Sequence, residues 1–185
     1  MAPAHPFVFN QLGQHLHKLA GNLVGGLVQG GEGGLGMLRV RDAIKPGGAA
    51  ANATLLITNG ATLSTGILQS DASRLGVTVS SSNNLAVIAN PGSLWINSGS
   101  IRVGEFSSFN SLLVTNGGHL VNQFGHRIGW NPGANNNQVV VSGLNSELDA
   151  LFLYAGDGGS FNTLLITNGG RVVSDLARIG LQIGA

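Results

Sequence analysis

Five positions in this chain form a row suited to gripping an anion. An Arg-apolar-Gly step reads Arg74-Leu75-Gly76, Arg102-Val103-Gly104, Arg127-Ile128-Gly129 and Arg178-Ile179-Gly180, and Tyr154-Ala155-Gly156 stands in the same register. In a strand, successive side chains point to opposite faces, so the Leu, Val or Ile faces a core and the Arg faces outward. Stacked at ~4.8 Å per layer, these positions form a ladder along one side. Such a ladder can track a sulfated or carboxylated polymer, because a guanidinium holds an oxyanion through two parallel hydrogen bonds. Tyr154 interrupts the row, and nearby acids offset part of its charge. Arg74, Arg102, Arg127, Tyr154 and Arg178 are therefore the binding candidates. Trp95, Trp130 and Tyr154 suit stacking on sugars if exposed, and core or corner packing if not.

Acid–base chemistry finds less to work with. A site that cleaves polysaccharide needs clustered carboxylates, or a carboxylate with a base and often a metal. The chain has eight Asp and Glu in total. Glu105 and Asp157 are equivalent positions in alternate units and would lie about 10 Å apart. That is slightly beyond the ~6.5–9.5 Å of an inverting glycosidase pair, so they read as solvated acids beside the arginine row. Glu147 and Asp149 share a strand face, two residues apart, but no calcium-loop pattern accompanies them. His15 and His17 cannot share a helical face. His119 and His126 fall in one unit and read as solvent-facing. No Gly-x-Ser-x-Gly elbow has a plausible His and Asp setting, and Gly30-Gly31-Glu32-Gly33-Gly34 lacks the Gly-Lys-Ser/Thr ending of a phosphate loop. No catalytic residue, metal ligand or cofactor site is assigned.

The elements that position these residues follow from an internal repeat. Gly104-Glu105-Phe106-Ser107-Ser108-Phe109-Asn110-Ser111-Leu112-Leu113-Val114-Thr115-Asn116-Gly117-Gly118 returns, at a constant offset and without a gap, as Gly156-Asp157-Gly158-Gly159-Ser160-Phe161-Asn162-Thr163-Leu164-Leu165-Ile166-Thr167-Asn168-Gly169-Gly170. A shorter copy is Thr54-Leu55-Leu56-Ile57-Thr58-Asn59-Gly60. Apolar runs begin at Leu55, Val87, Leu112, Val139 and Leu164, spaced by roughly 25–32 residues, so the long repeat is made of two half-units. Each run leads to a turn, most often Asn-Gly, which accepts the positive φ of a sharp corner. A hairpin also uses Asn-Gly, but recurrence about every 25 residues is the period of a solenoid coil rather than of a hairpin. Each unit is too small to hold a core alone, so stacking must bury the apolar ladder. Asn side chains at equivalent turns can bond along the stack.

Composition agrees. Charged residues are 9% of the 185, against roughly 25% in an average domain, while 43% are hydrophobic and the net charge is +1. That balance excludes ordinary disorder and the basic face of a general nucleic-acid binder. No apolar run approaches the ~20 residues of a membrane span. The chain has no cysteine, so disulfides and thiolate metal sites are excluded. Over residues 1–36 the pattern differs. Phe7, Leu12, Leu16, Leu19 and Leu23 recur at helical spacings before glycine pairs intervene, which reads as a weakly helical cap or, alternatively, a targeting helix. Met1–Val24 lacks a basic leader and a clean apolar stretch, so no ordinary signal peptide is expected.

The units Asn110-Ser-Leu-Leu-Val-Thr-Asn-Gly-Gly118, Arg127-Ile128-Gly129-Trp130 and Val139-Val-Val-Ser-Gly143 resemble repeats of bacterial autotransporter-type surface proteins, over roughly residues 51–185. The resemblance implies a passenger β-helix with an adhesive or structural role. A signal peptide and a C-terminal barrel translocator, both expected of that family, are not seen. The chain stops in mid-pattern at Gly180–Ala185, as a fragment of something longer would.

The expectation is therefore an all-β protein: a single-stranded, right-handed parallel β-helix of about five coils over 37–185, with a helical or irregular N-terminal cap over 1–36. Its expected role is a non-enzymatic structural or adhesive module, extracellular or at the cell surface, whose partner is a polysaccharide or cell-surface glycan. The alternatives are a carbohydrate-active β-helix enzyme or its remnant, and a solenoid that self-associates through uncapped coil ends.

Overall fold

Short alternating strands and positive-φ corners close this chain into a stack of coils. The structure, a computed structural model, describes residues 26–29, 37–40, 51–66 and 72–180. Among these it is all β, and every strand pairing is parallel. One sheet holds, in spatial order, β1 (Gly26–Gln29), β3 (Thr54–Thr58), β6 (Leu85–Ala89), β9 (Ser111–Thr115), β11 (Gln138–Ser142) and β13 (Thr163–Thr167). The second holds β2 (Met37–Val40), β4 (Thr62–Thr65), β7 (Leu94–Asn97), β10 (His119–Ile128), β12 (Glu147–Ala155) and β14 (Arg171–Ile179). Two further strands, β5 (Ala72–Leu75) and β8 (Ser100–Val103), extend this second ladder alongside the far half of β10.

Spatial order along each ladder follows chain order, one coil per step, which defines a solenoid. The first-sheet strands start at Thr54, Leu85, Ser111, Gln138 and Thr163, at intervals of roughly 25–31 residues, as a coil of this kind requires. Four full turns thus separate β3 from β13, and β13–β14 opens a fifth, as the repeat predicts. A further layer precedes them: β1 pairs with β3, and β2 with β4. Strand β1 lies inside the span 1–36 that the sequence reads as a cap. It is a short apolar run bounded by glycine pairs, the same local pattern as the later coils. The helix expected over Phe7–Leu23 lies outside the described residues. No helix of the described residues is long and apolar enough to cross a membrane.

Period-two alternation builds the core. Leu55 and Ile57, Ala86 and Ile88, Leu112 and Val114, and Val139 and Val141 point inward from successive first-sheet strands and are almost fully buried. Leu63, Trp95, Leu120 and Leu148 do the same from the second sheet. Each of the Val, Leu and Ile side chains contributes roughly 1.5–3 kcal/mol by leaving water. The corners between the sheets are turned by Asn59, Asn116 and Asn168, at φ 56°, 50° and 51°. The long strands bend midway, where the register of β10 on β12 slips between Asn122 and Gly125.

The corner leading back to the first sheet is tied by a buried amide ladder. Asn84 Nδ2 donates to Asn110 Oδ1 at 2.9 Å, Asn110 Nδ2 to Asn137 Oδ1 at 2.9 Å, and Asn137 Nδ2 to Asn162 Oδ1 at 3.1 Å. Each acceptor also takes the backbone N–H of the preceding asparagine in the stack. Stacked amides of this kind satisfy one another only when the coils stay in register. The glycine that ends each Arg-apolar-Gly step makes room for them. At Gly104 and Gly129 the φ is positive, and a Cβ would overlap the amides of Asn137 and Asn162.

Candidate functional site

The Arg-apolar-Gly step lies where its alternation predicts. Leu75, Val103, Ile128 and Ala155 are buried beneath the row. Above them Arg74 stands opposite Arg102, Arg102 opposite Arg127, Arg127 opposite Tyr154, and Tyr154 opposite Arg178. All five residues are therefore brought into one column along the stack. Ile179 is the exception beneath it, 85% exposed in the last described strand.

The column does not stand free. Glu105 holds two of its members, with Oε1 at 2.6 Å from Arg102 Nη1 and Oε2 at 2.8 Å from Arg74 Nε. Asp157 Oδ2 lies 3.1 Å from Arg127 Nε. The acids expected to be solvated are in fact 6% and 3% exposed. They sit one residue past the positive-φ glycine, which turns them under the guanidinium groups instead of out to water. Trp130 occupies the same position in the intervening coil, as the backbone bonds from Glu105 to Gly76 and from Trp130 to Gly104 show. The Arg102 guanidinium lies 3.6 Å from the centre of the Trp130 ring. Arg127 is 5.3 Å from that ring and 5.4 Å from the ring of Tyr154. Cation and ring attract through the ring quadrupole, so acids and aromatics alternate as partners for the arginines.

Burial sets the electrostatics. It lowers the Arg102 pKa from its ordinary value, and Glu105 opposes that shift. It pushes the Asp157 carboxyl up, and Arg127 pulls it back. Four guanidinium groups share two carboxylates, so the column keeps a positive surplus: Arg74 and Arg102 divide one carboxylate between them, Arg127 is matched by Asp157, and the exposed Arg178 adds a further charge. Arg178 has no ion-pair partner among the described residues.

The remaining candidates separate. Trp95 is fully buried and its Nε1 donates to Thr65 Oγ1 at 2.8 Å, which removes it from the sugar-stacking set. Glu147 pairs with Arg171 at 2.6 Å on the surface. His119 is exposed, as expected, but His126 is fully buried. It stands opposite Ile101 and Leu153, and neither ring nitrogen has a hydrogen-bond partner. The parity that sends Ile128 inward also sends His126 inward. Burial lowers its pKa to about 4. His15 and His17 lie outside the described residues.

Two residues that sequence reasoning passed over stand out. The position just before each ladder asparagine is left-handed in every coil, and the coil before them follows suit: Asn52, Asn83, Phe109, Asn136 and Phe161, at φ 60°, 58°, 62°, 54° and 58°. Asparagine accepts this conformation readily, whereas a bulky side chain there costs on the order of 1–2 kcal/mol. Phe109 and Phe161 are also 56% and 81% exposed, so burial returns little of that cost. The signal was in the repeat itself, as the pair Phe-Asn recurring at 109–110 and 161–162. Comparison of the chain with protein-family models, with curated proteins and with solved structures returns no match.

Proposed function

We propose that this chain is a non-enzymatic structural or adhesive solenoid module of a bacterial surface or secreted repeat protein, with a polysaccharide or cell-surface glycan as its partner. The observation that carries this reading is the state of its clustered acids. Glu105 is spent on Arg74 and Arg102, and Asp157 on Arg127. A general acid or nucleophile must reach its substrate, and these carboxylates instead lie beneath their arginines, fixing one coil to the next. The resemblance of residues 51–185 to autotransporter passenger repeats supports the surface location and the adhesive role. Self-association is the second reading, because parallel strands of stacked coils pair readily with further strands. The test is a broad glycan array run beside an assay for released sugar ends on the same polysaccharides. Binding without cleavage is expected. Cleavage would overturn the reading in favour of the enzyme, and no binding to any glycan would leave self-association.

A further inference from the structure

We infer that the left-handed column holding Phe109 and Phe161 is a binding track for an uncharged, extended polysaccharide lying parallel to the stacking axis. The inference rests on the adhesive reading above and assigns it a surface distinct from the arginine column. Two bulky rings occupy strained backbone and remain largely in water, while the equivalent positions of the other coils carry asparagine. The fold gains nothing evident from phenylalanine there, so the rings have a use outside it.

The order of the column identifies the occupant. Asn83, Phe109, Asn136 and Phe161 follow one another along the stack, and all four are exposed. The side-chain amides of Asn83 and Asn136 have no partner among the described residues. Two layers separate the rings, so they stand about 10 Å apart with the Asn136 amide between them. An extended chain of pyranose rings offers the matching sequence of features, with apolar C–H faces for the rings and hydroxyl rims for amides that both donate and accept. A protein partner with a continuous apolar face would be interrupted by the amides. An anionic polymer would meet no cation, because the column holds no charged residue. The coil corners hold the rings at fixed spacing before any ligand arrives, which limits the ordering cost of binding.

The decisive experiment is affinity electrophoresis of the full chain through gels containing hydroxyethylcellulose, glucomannan or arabinoxylan, with heparin as the acidic control. The key variant carries Phe109→Asn and Phe161→Asn together, which installs the residue found in the other coils. Retardation by at least one neutral polymer is expected, and the double variant should bind it at least about tenfold more weakly. The same variant should melt at a higher temperature than the parent, because asparagine relieves the strain. Phe161→Tyr, which keeps a ring, should retain binding. Neutral-polymer binding unchanged in the double variant overturns the track, as does a double variant that melts lower. Retardation by heparin alone overturns the track and leaves the adhesive reading standing. No retardation by any polymer overturns both.

Discussion

His126 makes the stability of this solenoid depend on pH in a way that can be worked out beforehand. Its ring lies in the core between Ile101 and Leu153, with both nitrogens unpartnered. Its pKa is about 4 in the folded chain, against an ordinary value of 6.5. The unfolded chain therefore takes up the proton first as the pH falls. Stability is at its full value above the unfolded pKa, declines as pH drops from about 7 towards 4, and levels off below the folded value. At 1.36 kcal/mol per pKa unit the total loss is about 3 kcal/mol, of which about 2 kcal/mol has gone by pH 5. Urea unfolding of the parent and of His126→Leu at about pH 7.5 and about pH 5 isolates this group, because the carboxylates titrate in both proteins. The variant should be more stable by about 1–2 kcal/mol at the higher pH, since two unsatisfied buried nitrogens are removed. Its advantage should then widen by about 2 kcal/mol at the lower pH. Parallel losses in the two proteins would refute the placement of His126 as a neutral, unpartnered core residue.

Two further predictions concern the ties between coils. Asn137→Ala removes two bonds accepted from Asn110 and two donated to Ser107 and Asn162, leaving the Asn110 backbone N–H without its acceptor. It should cost about 3 kcal/mol in chemical denaturation, and a loss below about 1 kcal/mol would show the amide ladder to be incidental. Glu105→Gln should cost about 2–4 kcal/mol by releasing Arg74 and Arg102, while Glu147→Gln, at the exposed Arg171 pair, should change stability by less than about 1 kcal/mol. Equal effects measured for the two variants would sink the claim that Glu105 is a structural tie.

What the sequence disclosed and what it hid divide along physical lines. Periodicity reports which residues occupy equivalent places, so the coil lengths, the Asn-Gly corners and the register of Arg74, Arg102, Arg127, Tyr154 and Arg178 were all legible. Whether a side chain at a corner is covered depends on the path of the loop, which periodicity does not specify. Glu105 and Asp157 read as solvated because their expected separation is too wide for a paired acid site; the positive-φ glycine before each turns it under the arginines. His126 reads as solvent-facing as a polar residue in the same unit as His119, whereas strand parity with Ile128 places it inside. The amide ladder is built from the asparagines before each apolar run, whereas the recurring turn pattern marks those after it, where the corners are.

The parallel ladders also decide how this molecule would answer a pull. Every interstrand bond joins one coil to the next, so the bonds lie along the stacking axis. Tension along that axis passes through every coil interface in series, and one interface can yield while the remaining coils keep their core. A coil that yields frees the chain between successive first-sheet strands, roughly 25–31 residues, or about 85–105 Å of slack once extended. The stack is thus a tether that lengthens in steps under load.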